Sequence, residues 1–186
     1  MADQTITDDN GEILRLVART KTTQHSDKSL KPISTDSVTI EILVFDSIMT
    51  SIGSQFGHVA IDVDGVIYSR AHSKYARIDD GNSYRASNKK IRDFEGLFLR
   101  VSEKEKARIK DELERRVKID APYSIITNSC STNIADVLEG IGILAHDPRF
   151  KINPASTDLV TPKEVLIVVS RSKRMVKRKQ YSRLKE

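Results

Sequence analysis

Tryptophan is absent from this sequence, and aromatic residues of all kinds fill only 5% of its 186 positions. A chain so poor in flat side chains is ill supplied for stacking nucleic-acid bases. It also shows no helix-turn-helix, zinc-finger or RNA-recognition signature. Long apolar runs are missing too: no window approaches the about eighteen consecutive apolar residues that read as a membrane-spanning helix. The opening residues, MADQTITDDNGE, are polar and acidic, without the basic start and apolar run of a secretory signal. The expectation is a protein made in the cytoplasm, whose export, if any, is independent of such a signal.

Cysteine is scarce to the point of being single. Cys130 alone excludes an intrachain disulfide and a thiolate metal cage. The histidines are His25, His58, His72 and His146, and none stands in a H-E-x-x-H spacing. No metal centre and no cofactor is therefore expected. A solitary free Cys is either a small buried hydrophobe or a reactive thiol, and its surroundings must decide which.

Charge is abundant, at 31% of residues, and unevenly spread. Residues 171–186, RSKRMVKRKQYSRLKE, carry a net +7, so the rest of a chain of net +5 sums to −2. That run reads as a basic C-terminal tail suited to an anionic surface, to phosphates or to an acidic partner. Residues 1–37 are polar and without sustained period, a loosely ordered lead-in that admits a short helix at 12–17. The folded domain is expected over 38–170.

Within that domain VTIEILVFD (38–46) is rich in β-branched and apolar residues and predicts a strand. HVAIDVDGVIYSRA (58–71) contains two such runs around Asp64-Gly65, the strongest short hairpin signal. A two-residue turn there pairs Val63 with Val66, Asp62 with Ile67 and Ala60 with Ser69. Because side chains alternate between faces, Ser69 then lies diagonally near His58. Residues 72–96 are rich in Asp, Gly, Asn and Ser and read as a long connection able to shape a binding groove. LFLRV (97–101) predicts a further strand, and Ser102 with Glu105 forms the capping-box pattern for a helix over 103–118. From Cys130, apolar residues recur at Ile134, Val137, Leu138 and Ile141, which is one helical face. With Asn128 or Ser129 as cap, Cys130 falls at or near a helix N-terminus, where partial positive charge favours a thiolate. Thr161-Pro162-Lys163-Glu164 signals one more helix start. The fold class expected is α+β: a small, mostly antiparallel sheet packed against the Cys130 helix.

The order of these parts resembles that of the permuted papain-like enzymes of the NlpC type, in which a Gly-His strand precedes the Cys helix. FGHVAIDVDGVIYS is similar to the family's His strand and the strand after it. YSIITNSCSTNIADVLEGIGI is similar to its Tyr, Asn and Cys segment, and TPKEV to the Thr-Pro segment that follows. The likeness spans roughly 38–170 in arrangement and is specific in the first two segments. It implies a papain-like core, Cys130 as nucleophile, His58 as general base and Ser69 as the residue that orients the imidazole. Asp62 and His72 stay open as alternative orienters, since Ser departs from the usual His, Asn or Gln. Asn128 is separated from Cys130 by Ser129, which leaves its role open.

The family includes cell-wall peptidases and amidases, some delivered by type VI secretion, and lipid acyltransferases and thioesterases. The resemblance thus implies a hydrolase of amide bonds in peptidoglycan stem peptides, an antibacterial toxin acting in a target cell's periplasm and matched by an immunity protein. A lipid or thioester substrate is the alternative within the same chemistry. A non-catalytic module that binds through the basic tail is the alternative outside it.

Overall fold

The apolar, β-branched runs form strands because both faces of a sheet can be covered here. The computed structural model describes residues 38–48, 55–147 and 159–184, and before them the backbone of three short strands. The chain divides into two units, Met1–Val38 and Thr39–Glu186. In the first, β1 (Thr5–Thr7) pairs antiparallel with β2 (Ile13–Leu16), which pairs parallel with β3 (Lys31–Ile33). The stretch expected to admit a helix is thus a strand. Ile13, Leu14 and Leu16 give no helical stripe, and pairing with two neighbours satisfies the backbone instead.

The second unit is built on a six-stranded sheet of order β7-β6-β5-β4-β8-β9. Its strands are β4 (Val38–Phe45), β5 (His58–Val63), β6 (Val66–Arg70), β7 (Tyr75–Ile78), β8 (Phe94–Val101) and β9 (Met175–Tyr181). Pairing is antiparallel between β4 and β5, β5 and β6, β6 and β7, and β8 and β9. Asp64 and Gly65 both take positive φ and close the β5–β6 hairpin, with Val63 opposite Val66 and Asp62 opposite Ile67. Four helices accompany the sheet: α1 (Gly81–Lys89), α2 (Glu103–Ile119), α3 (Cys130–Glu139) and α4 (Pro162–Ser170). Helix α3 packs on β5 and β6, α4 on β8, β9 and α3, and α2 on β7 and α3. This is an α+β fold with a largely antiparallel sheet against the Cys-bearing helix.

Register decides which side chains meet. Phe45 pairs with His58, Leu43 with Ala60 and Glu41 with Asp62, so these six share a face. Leu43, Phe45, Ala60, Ile67, Phe94 and Tyr181 form a core cluster there, and Ile78 and Tyr84 pack against it. The alternate residues Ile42, Val44, Val59 and Ile61 are buried as well. On that side Tyr68, opposite Ile61, donates its hydroxyl to Glu114 of α2.

Two segments differ from the sequence expectation. Residues 72–96 are not a long loop but hold β7 and α1, whose N-cap Asp80 accepts from the Asn82 and Ser83 amides. The basic stretch 171–186 is not a free tail, because 175–181 form β9 on the edge of the sheet. Lys177 lies over the Phe98 ring and Lys179 over Tyr181, so the cations rest on aromatic faces while their charge stays exposed. Beyond β9, the Leu184 amide donates to the Lys89 carbonyl at 2.8 Å and the Arg183 amide to Asp93 at 2.5 Å.

Candidate active site

Cys130 and His58 both stand at the start of an element, and each position has a local cause. Gly57 takes φ +91°, and a Cβ there would sit 2.7 Å from the Phe45 carbonyl oxygen. Only glycine lets the chain enter β5 so close to β4, which fixes His58 as the first strand residue. At Cys130 the cap is Ser129, whose Oγ accepts the Thr132 amide at 3.2 Å. Asn128 does other work. Its amide nitrogen donates to the Ala121 and Pro122 carbonyls, and its oxygen accepts from Asn133 at 2.8 Å. It thereby closes the 121–128 segment in front of the helix. Asp120, the left-handed C-cap of α2, ties that segment to the sheet by accepting from Arg70 Nη1 at 2.9 Å and the Tyr75 amide at 2.7 Å.

Where β5 begins, β6 ends and α3 begins, the structure leaves a cavity of about 560 Å³ whose lining includes Cys130, His58 and Ser69. That volume lies within the usual range for small-ligand sites, about 300–1,000 Å³. His58 Nε2 and Ser69 Oγ are 2.7 Å apart, the diagonal pair expected from the hairpin register. Among the described residues no hydrogen bond is made to His58 Nδ1, and none joins Cys130 to His58. The polar contact of Cys130 Sγ is Ser131 Oγ at 3.8 Å. Burial, helped by the positive charge of Arg92, lowers the His58 pKa to about 3. His58 is therefore neutral at pH 7. With Nε2–H donating to Ser69, Nδ1 is the atom left to accept a proton.

The two alternative orienters make other contacts. Asp62 accepts from the Gly65 amide at 2.7 Å and from Arg85 at 2.5 Å, so its carboxylate is committed to the turn and to α1. His72 also lines the cavity, but its ring lies tilted against Tyr123 with centroids 4.9 Å apart. His146 bonds Glu164 at 2.7 Å. His25 lies outside the described residues. Among the described residues no group of three or more His, Cys, Asp or Glu could hold a metal ion.

Among the lining residues not singled out from the sequence are Tyr84, Asn88 and Arg92. They recur every four positions across α1 and the turn after it, a spacing legible once Asp80 is taken as a cap. Asn88 Oδ1 receives both Nε and Nη2 of Arg92, at 3.1 and 2.9 Å, and the guanidinium lies 4.6 Å from the centre of the Phe45 ring. The cavity is thus walled by the β5–β6 hairpin, by α1 with its following turn, and by the start of α3.

No family model, curated protein or solved structure matches this chain. The site is judged by its own chemistry.

Proposed function

We propose that the protein is a cysteine hydrolase that cuts amide bonds, with Cys130 as nucleophile, His58 as base and Ser69 as the residue that holds the imidazole. The observation that carries this reading is the shared cavity, into which a helix-capped thiol and a neutral, Ser-anchored imidazole both open. His58 Nδ1 takes the thiol proton as Sγ attacks the substrate carbonyl carbon. The backbone N–H of Cys130 belongs to the first turn of α3, whose amides have no acceptor within the helix, and it serves the developing oxyanion. His58 then returns the proton to the departing amine, leaving a thioester. Water, deprotonated by His58, releases the acid and restores the thiol. The Cys130–His58 contact that this sequence needs forms when substrate fills the cavity.

The substrate class proposed is the peptide of bacterial peptidoglycan, and the setting a secreted antibacterial effector restrained by an immunity protein. Support comes from the order of the Gly57-His58 strand and the Cys130 helix, which is similar to that of NlpC-type enzymes. Purified protein incubated with peptidoglycan sacculi is expected to release muropeptides detectable by mass spectrometry. Cys130→Ala and His58→Ala are each expected to lower that release by about a thousandfold or more. Undiminished release by Cys130→Ala would reject the nucleophile.

A second reading, a lipid acyl or thioester substrate, is favoured by one observation. The exposed edge strand β9 presents Lys177 and Lys179 on one face and Arg178 on the other, a basic strip fit for an anionic bilayer. Among the described residues no helix is long and apolar enough to cross a membrane, so this version requires surface contact.

A further inference from the structure

The cavity around Cys130 contains a cation, Arg92, that forms no ion pair among the described residues. Arg70, at its edge, is neutralised: Nη1 bonds the Asp120 carboxylate and Nη2 donates to the Ala121 carbonyl. Among the described residues Arg92 has no such partner. Its guanidinium is fixed by a neutral amide, Asn88, and by the Phe45 ring, while Nη1 reaches only the backbone oxygen of Asp46 at 3.4 Å. Among the described residues no carboxylate lies within ion-pair distance of it. Among the described residues no Asp or Glu lines the cavity. The fork to Asn88, whose own Nδ2 donates to the Tyr84 carbonyl at 2.9 Å, keeps the group from swinging out to solvent. Asp46 and Cys130 act on the guanidinium through space without pairing with it, and a half-buried cation that is rigidly held by neutral hydrogen-bond partners is stabilised when an anion enters.

We propose that Arg92 is the specificity-determining residue of this cavity and that the group it binds beside Cys130 is a carboxylate. This rests on the hydrolase reading for its meaning, since it says that the substrate bears a free carboxylate next to the scissile amide. Burial lowers the Arg92 pKa, and the charges of Tyr84, Cys130 and Asp46 oppose that without cancelling it. Planar, bidentate geometry suits a carboxylate better than a lone hydroxyl or amide.

The test uses the single thiol of the chain as its own reporter. Iodoacetate and iodoacetamide both alkylate sulfur by displacing iodide, and they differ in that one carries a carboxylate and the other a neutral amide. The ratio of their rates at Cys130 is expected to be about tenfold or more higher in the wild type than in Arg92→Gln, the effect of one charge-assisted hydrogen bond in a partly buried site. Arg92→Lys should recover part of the ratio. An arginine that acted only on the thiolate would raise both rates together and leave the ratio unchanged. If Arg92→Gln does not fold, added salt on the wild type gives the same discrimination, slowing iodoacetate and sparing iodoacetamide. Equal ratios in wild type and Arg92→Gln, or indifference of the wild-type ratio to salt, overturn the proposal. Those results leave muropeptide release untouched, whereas a protein with the predicted ratio and no release from sacculi would reject the hydrolase and keep the anion site.

Discussion

Burial takes the His58 imidazole to a pKa of about 3 from an ordinary 6.5, and the consequence for stability has a definite sign. Below pH 6.5 the unfolded chain binds a proton at this residue and the folded chain does not. The stabilisation is complete above that pH and is lost as pH falls toward 3, with a limiting slope of about 1.4 kcal/mol per unit. Urea midpoints measured from pH 7 to pH 4 are expected to fall more steeply for the wild type than for His58→Gln, and parallel curves would refute the assignment. The His58–Ser69 pair was legible in the sequence because Asp64-Gly65 fixes the hairpin and alternation then fixes the faces. Cys130 at a helix start was legible from its apolar period. Arg92 was not, because its place depends on α1 folding back over Phe45, and nothing within a polar stretch announces the partner it will cover.

Elements that bury little apolar surface were the ones misread. Strand β9 has no alternating apolar pattern, since Val176 to Gln180 are exposed and only Tyr181 is buried. Its reason for pairing lies in β8, whose Phe98 receives Lys177 and whose Glu95 receives Arg178 at 2.7 Å. Lysines on an edge strand also discourage sheet-to-sheet association, so the charge has a structural use independent of any ligand. Because β9 belongs to the sheet, removing 171–186 would damage the fold, and charge reversal is the informative change. Lys177→Glu with Lys179→Glu should abolish any salt-sensitive sedimentation of the protein with anionic vesicles, while neutral vesicles bind neither form. Undiminished sedimentation of the double variant would exclude the β9 strip as a membrane contact. By contrast α2 was readable from end to end: its Ser102–Glu105 capping box is present, and it runs Glu103–Ile119 with Ile109 and Leu113 buried.

Across the whole second unit, one buried ionic cluster joins parts that are distant in sequence. Arg85 of α1 donates to Glu41 of β4 and Asp62 of β5, and Tyr181 of β9 donates to Glu41 at 2.8 Å. Four elements thus converge on two carboxylates and one guanidinium. Arg85→Met would leave both carboxylates buried without their cation and is expected to cost about 3–5 kcal/mol in a urea titration. A loss below 1 kcal/mol would mean that the cluster is solvated. The same convergence ties the far end of the described chain to the cavity. Residues 183 and 184 bond Asp93 and Lys89, which bracket Arg92. Cleavage just after Tyr181 would therefore spare the sulfur and the imidazole while untethering the arginine turn, so it would shift the preference of Cys130 between iodoacetate and iodoacetamide before it slowed the thiol itself.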